Sequence, residues 1–489
     1  MKIQSLSKFG SYLLLSLALV SPLTSSSKQI VSAHSDSLNH TSSHFASRRM
    51  ESKKDQELSQ KDIEKLVDVY NSIKFGYIKD IDKKKILEGA LKGMVSATGD
   101  PFSEYFNAEE SSSFTDSVNS SFEGIGVEIM AKSGQIMIVS PFDNSPADKA
   151  GLRPNDIILK ADGKEIKDMS TSEVVKLIRG KKGSEVKLTI QRGSSSFDVV
   201  LKRDTIPIVT VKAELSKKDK EIAHVRITQF SKNTYDELTK EIKSLREKGA
   251  KKFVFDLRGN PGGLLDQALK ISNIFLKDGQ TIMQVEERDS KAEAYKANDS
   301  QYGTFKVTEP YVVLIDEGSA SASEILSAAI SENVGAKLIG TKSFGKGTVQ
   351  TVMNESDLGE LKLTIAKWLT PKGLWIHEAG IKPDVAIERE PVANALMLDA
   401  KKTLEKGQSD EYVASLATML NALGYQVEAK NYFDDQMETM VKKYQEDHQL
   451  PVDGKVTGKT VDQLLEDTRN YLKNHDAQLD KAINILKGE

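Results

Sequence analysis

Three runs rich in β-branched and aromatic residues, 223–227, 253–257 and 311–315, alternate with segments 235–248, 264–275 and 323–330, in which apolar residues recur at helical spacing. Alternation of this kind argues for an α/β core. Two of the runs lead into small-residue turns, Asp256-Leu257-Arg258-Gly259-Asn260-Pro261-Gly262-Gly263 and Gly318-Ser319-Ala320-Ser321-Ala322-Ser323-Glu324, and each turn opens a helix. In open α/β sheets ligands bind at this position, outside the carboxyl ends of the strands. Both turns are therefore candidate sites.

The chain is longer than one such core needs. Its 489 residues correspond to about three or four folding units. With 68 Lys and Arg against 71 Asp and Glu, the net charge of -3 provides no field for nucleic acid or an anionic membrane surface. Cysteine is absent, which excludes disulfides, thiolate metal sites and a thiol nucleophile. Lys2 and Lys8, the apolar run 12–20 and the small residues Val31-Ser32-Ala33 make 1–33 an export signal, cleaved before His34. The alternative is an uncleaved membrane anchor, although the run is shorter than the ~20 residues that span a bilayer. Segment 34–55, polar and containing His34, His40 and His44, is expected to be a flexible linker.

Residues 56–118 carry helical periodicity and close on Gly99-Asp100-Pro101. Residues 119–203 change to short strands and glycine turns, with strand candidates at 136–139, 156–159 and 186–190 and a short helix at 172–179. The α/β core occupies 204–395, a charged linker 396–410, a helical module 411–468 and a charged tail 469–489, read as a solvated face.

Phe344-Gly345-Lys346-Gly347-Thr348-Val349-Gln350 adds a lysine in an apolar, loop-to-strand setting. A lysine accepts a proton from a serine hydroxyl only when burial pulls its pKa down toward neutrality. Gln350 cannot titrate, so it can hold an amine without favouring the ammonium. In a fully extended strand residues 346 and 350 stand ~13 Å apart, so contact needs a bend at Gly347. Residue chemistry alone does not rank Ser319, Ser321 and Ser323, and any of them could simply cap the following helix.

With these motifs, Ala366-Lys367-Trp368-Leu369-Thr370-Pro371 and Gly380-Ile381-Lys382-Pro383-Asp384, the chain resembles the carboxy-terminal processing, or tail-specific, proteases of the Ser/Lys type over residues 56–388. The resemblance implies a serine endopeptidase acting through an acyl-enzyme without metal or cofactor. It makes Ser321 the nucleophile, Lys346 the general base and Gln350 its orienting group. The N–H groups of Ala322 and of the Gly262-Gly263 turn become the oxyanion hole. The rival enzyme is a Ser/His/Asp hydrolase using His224 or His377; the rival class is a non-catalytic PDZ scaffold at the cell wall.

Residues 122–192 resemble a permuted bacterial PDZ domain, through Gly124-Ile125-Gly126-Val127, Gly151-Leu152-Arg153-Pro154-Asn155-Asp156, Asp162-Gly163 and the helix 172–179. That likeness implies protein substrates whose free, apolar carboxy termini are captured by the N–H groups of the 124–127 loop while the chain adds as a strand. The domain would then gate the protease, with Arg179 either linking it to the core or simply solvated. Residues 412–465 resemble a three-helix peptidoglycan-binding domain, carried by Leu420, Leu423-Gly424-Tyr425, Phe433-Asp434, Val441, Tyr444-Gln445, Leu450, Asp453-Gly454, Thr460 and Leu464. Asn431-Tyr432 stands where that family usually places glycine. The expected whole is a multidomain α/β protein: an α/β protease core with an inserted β-rich PDZ domain, an amino-terminal helical segment that fits a role in homodimerisation, and a small carboxy-terminal helical domain that implies peptidoglycan as a partner.

Overall fold

The computed structural model describes residues 58–489 except 108–109, 112–120, 133–134, 143, 154, 168, 170, 194, 356–358 and 429. The expected export signal and the expected linker with its three histidines lie outside the described residues. The central sheet has six strands in the order Val211–Leu215, Ile222–Ile227, Lys252–Asp256, Tyr311–Ile315, Lys337–Gly340 and Val385–Ala386. The first pair is antiparallel and the others are parallel.

Parallel strands need crossovers, and the helical segments supply them as Thr234–Glu247, Leu265–Asn273 and Ala322–Val334. Successive side chains in a strand face opposite sides. Val225, Phe253, Phe255, Val313 and Ile315 accordingly pack with the three helices, whereas Ile222, Val254, Val312, Leu314 and Ile339 form a second cluster on the other face. Burial on both faces explains why these strands read as continuous apolar runs.

The second face is covered by the chain's own end. Helix Ala477–Lys487 buries Ala482 and Ile483 in that cluster, and Gln478 is fully buried. Part of the segment read as a charged tail with a solvated face is therefore an integral layer of the core. The expected linker 396–410 is also packed. Leu398 and Leu404 join the core of the carboxy-terminal module, and Leu404 exchanges main-chain hydrogen bonds with Val456 at 2.9 and 3.0 Å.

An antiparallel sheet flanks the core, ordered Glu104–Phe106, Gly359–Leu369, Thr281–Glu287 and Glu293–Lys296, with Thr348–Glu355 also paired to Gly359–Leu369. Its edge strand Glu104–Phe106 follows helices Gln60–Gly76 and Lys83–Ser96, neither of which buries a residue. The β-rich domain has its own core of Ile136, Ile138, Ile158, Val174, Val186, Leu188 and Ile190. Strands Ser121–Gly124 and Asp204–Pro207 pair antiparallel, so this domain enters and leaves side by side, as an insertion must.

The carboxy-terminal module comprises helices Glu411–Ala422, Asp435–Asp447 and Lys459–Asn474 around Leu416, Leu420, Phe433, Val441, Tyr444 and Leu464. Buried Gln445 ties down the 453–455 turn, accepting from Gly454 N–H at 2.9 Å and donating to the Lys455 carbonyl at 2.8 Å. Among the described residues no helix is long and apolar enough to cross a membrane.

Candidate active site

The turn after strand Lys252–Asp256 and the turn after strand Tyr311–Ile315 meet at the carboxyl ends of their parallel strands. Asn260 joins them, its carbonyl accepting from Ala320 N–H at 3.0 Å and from the Ser323 hydroxyl at 2.9 Å. Ser319 donates its hydroxyl to the Leu257 carbonyl at 2.8 Å. Two of the three serines are thus committed to holding the turns together. The Ser321 hydroxyl donates to no carbonyl among the described residues. Ser321 also has φ 53° and ψ -111° at the N-cap of helix Ala322–Val334, a conformation that non-glycine residues rarely adopt and that surrounding contacts must enforce.

Glu324 enforces it. Its Oε2 accepts from the N–H of Ser321 at 2.8 Å and from that of Lys346 at 2.9 Å. Its Oε1 accepts from Gly345 N–H at 2.7 Å and from the Ser343 hydroxyl at 2.6 Å. Burial pushes this carboxyl above its ordinary range, while the four donors pull it back. Sequence reading assigned Glu324 only a capping role; its reach to the 343–346 loop is tertiary.

One carboxylate oxygen therefore holds the backbones of Ser321 and Lys346 together. The Lys346 side chain is 1% exposed. Burial first, and then the like charge of Lys362, lowers its pKa to about 7 against the opposing influence of Glu324 and Asp100. At neutral pH such an amine is partly unprotonated, the state a general base requires.

Gln350 is likewise buried, but its expected contact is not made directly. No hydrogen bond joins Ser321 Oγ, Lys346 Nζ and Gln350 to one another among the described residues. Gln350 Nε2 donates to Thr348 Oγ1 at 2.9 Å and Thr364 Oγ1 at 3.0 Å, while its Oε1 is buried without a partner. The strand has a register shift between Val349 and Gln350.

The Gly262-Gly263 turn lies against the serine. A Cβ on Gly262, which has φ +99°, would stand 2.8 Å from Ser321 Cβ and 2.7 Å from the Ala320 carbonyl oxygen, so only glycine fits. The Gly262 N–H, however, donates to Asn260 Oδ1 at 2.9 Å. The expected three-donor hole reduces in this arrangement to Gly263 and Ala322, whose N–H groups donate to no carbonyl among the described residues.

The two histidines of the rival triad lie apart from Ser321's hydrogen bonds. His224 pairs with Asp256 at 3.0 Å and His377 stacks on Trp375 with ring centroids 5.1 Å apart. Sequence reading also missed Asp100 and Phe102. The Lys346 amine sits 5.1 Å from the Phe102 ring centroid, a contact that no local pattern announces.

Residues 221–387 match peptidase family S41, and 45% of residues are identical to the carboxy-terminal processing protease CtpA of Bacillus subtilis over 87% of this chain and 90% of that protein. The chain belongs to peptidase family S41. This S41 protease is also 40% identical to a probable CtpA-like serine protease of Staphylococcus aureus (strain COL), over 88% of this chain and 86% of that one. A PDZ domain matches residues 137–192, the CtpB-type amino-terminal domain 26–110 and a putative peptidoglycan-binding domain 409–464. Among solved structures, the photosystem II D1 C-terminal processing protease aligns at 26% identity and a TM-score of 0.39, over 66% of this chain and 86% of that chain. The S41 protease is thus a serine-type peptidase of the carboxy-terminal processing group.

The 124–127 loop precedes the residues that match the PDZ domain. Ile125 and Gly126 are buried, and their N–H groups donate to no carbonyl among the described residues. Gly126 has φ +74° and a Cβ there would overlap Ser145. The loop feeds strand Val127–Lys132, an edge of its sheet, which packs beside helix Thr171–Ile178. Arg179 follows that helix, its guanidinium 4.7 Å from the Phe122 ring centroid.

Proposed function

We propose that this chain is an exported endopeptidase that cleaves protein substrates near their carboxy termini, with Ser321 as nucleophile, Lys346 as general base and Gln350 as the group that steadies the lysine. The observation that carries the reading is the buried Lys346 amine, tied through Glu324 to the strained backbone of Ser321. A scaffold protein has no use for a desolvated lysine, which lowers stability wherever it occurs.

In the first step the Ser321 oxygen bonds to the scissile carbonyl carbon as its proton passes to the Lys346 amine. The carbonyl oxygen takes up negative charge opposite the Gly263 and Ala322 N–H groups, the latter at a helix start. Collapse breaks the C–N bond, and the ammonium returns the proton to the departing amine. Water, deprotonated by the same lysine, then releases the acyl group and restores the serine.

The PDZ domain reads the substrate's terminus: the Ile125 and Gly126 N–H groups receive its carboxylate and the preceding residues add along Val127–Lys132. Occupancy gates the protease through Arg179 and Phe122, beside the paired strands that connect the domain to the core. The carboxy-terminal module holds the enzyme on peptidoglycan, consistent with an extracytoplasmic location.

Peptide hydrolysis by the full chain tests the chemistry. Ser321→Ala and Lys346→Ala are each expected to lower kcat by at least about 10³-fold. Retained turnover in Lys346→Ala, with loss in His224→Ala or His377→Ala, would overturn it. For gating, Arg179→Ala should lose stimulation by apolar-tailed peptides; unchanged turnover counts against the link. Retention on purified cell wall by the chain, but not by a form lacking 409–470, tests the anchoring.

A further inference from the structure

Lys346 is enclosed by elements from four parts of the chain. Glu324 lies on helix Ala322–Val334, Lys362 on strand Gly359–Leu369 and His377 in the loop after that strand. The fourth part is the turn 100–103, which follows the amino-terminal helices. Phe102 presents its ring to the Lys346 amine at 5.1 Å and stands edge-on to His377 at 6.0 Å. His377 in turn stacks on Trp375, whose Nε1 donates to the Gly347 carbonyl at 2.8 Å. Phe102 is therefore linked through His377 and Trp375 to the chain just after the lysine.

Asp100 fixes the turn and extends it toward Gln350. It accepts from Phe102 N–H at 3.1 Å and from the Ser103 hydroxyl at 2.5 Å. Ser103 Oγ accepts from Thr364 N–H at 3.0 Å, and Thr364 Oγ1 accepts from Gln350 Nε2 at 3.0 Å. Burial raises the Asp100 pKa, but the bonds from Ser103, Thr364 and the backbone prevail and hold it below its usual range. It is thus an anion near a lysine that must lose its charge. Lys362 opposes it; that lysine is paired with Glu104 at 3.1 Å.

We infer that Phe102 and Asp100 are positioning residues of the catalytic apparatus: Phe102 keeps the Lys346 amine dry, and Asp100 orients Gln350 through Ser103 and Thr364. The inference rests on the Ser/Lys reading above. Because the two helices preceding the turn bury no residue, the 100–106 segment and its strand pairing with 360–362 carry the attachment of this region to the protease. The amino-terminal region then does more than extend the chain; its docking completes the environment of the base.

The two residues act on the lysine in opposite senses, which gives the test. In full-length protein the pH dependence of kcat is measured for peptide hydrolysis, together with melting temperature. Phe102→Ala admits water, so the midpoint of the rise with pH is expected to move up by about one unit and kcat at pH 7 to fall about fivefold. Asp100→Asn removes a charge that favours the ammonium, so its midpoint is expected to move down while kcat at the plateau falls. If Phe102→Ala fails to fold, Phe102→Leu against Phe102→Asn, alike in branching and unlike in polarity, carries the same comparison: Leu keeps the parental midpoint and Asn raises it. Midpoints that stay put, or move together, overturn the inference. Activity surviving in Lys346→Ala overturns the Ser/Lys reading itself, and the two failures are distinguishable.

Discussion

Burying an amine destabilises the fold that contains it, and Lys346 carries that cost at 1% exposure. Its folded pKa of about 7 lies below the ordinary value of 10.5. Between those values the unfolded chain binds more protons, so stability rises with pH; below about pH 7 both states are protonated and the full penalty is present. Lys346→Met removes the amine and retains a long apolar side chain. It is expected to raise the melting temperature by about 2–4 °C per kcal/mol relieved, most at pH 6 and least at pH 10. Calorimetry at the two pH values checks this, and an equal gain at both would contradict a depressed lysine. Residue types were enough to nominate the lysine, because it lies between glycines in an apolar, loop-to-strand setting. They could not rank the serines, since the hydrogen bonds that commit Ser319 and Ser323 run to Leu257 and Asn260, carbonyls about 60 residues away in sequence.

At the scale of elements, the helix Ala477–Lys487 closes the protease sheet and reaches the turn that carries Gly262 and Gly263. Arg258 donates to both oxygens of Asp476 at 2.8 Å, to both oxygens of Asp256 at 2.9 and 2.7 Å, and to Gln478 Oε1 at 3.0 Å. Asp476 also caps the helix by accepting from Leu479 N–H at 3.0 Å. Asp476→Asn removes the charge at a partly exposed position and is expected to cost about 1–3 kcal/mol of helix docking. Hydrogen exchange of the 477–487 amides measures it; protection equal to the parent would mean that the apolar contacts hold the helix alone. Leu479, Ala482, Ile483 and Leu486 recur at helical spacing, so the buried stripe was present in the sequence, masked by the charges between them. What periodicity cannot supply is the partner, and a lone amphipathic helix is equally compatible with several surfaces. The strands of the core were easier, because burial on both faces leaves few polar residues to obscure them.

At the scale of the whole molecule, domains that are separate in sequence meet around the proposed catalytic centre. The amino-terminal segment contributes Asp100 and Phe102, the protease core contributes Ser321 and Lys346, and the carboxy-terminal helix grips Arg258. The PDZ domain joins the core through the paired strands Ser121–Gly124 and Asp204–Pro207. On the gating proposed above, this arrangement offers several places at which docking of one part is felt by another. All of it depends on one amine being uncharged near neutral pH. The direct measurement is an NMR titration of the Lys346 side chain, with lysine ¹³Cε labelling of the full chain in a Ser321→Ala background and assignment by the resonance missing from Lys346→Met. The account predicts a midpoint near 7, and a midpoint near the ordinary ~10.4 of a solvated lysine would contradict it.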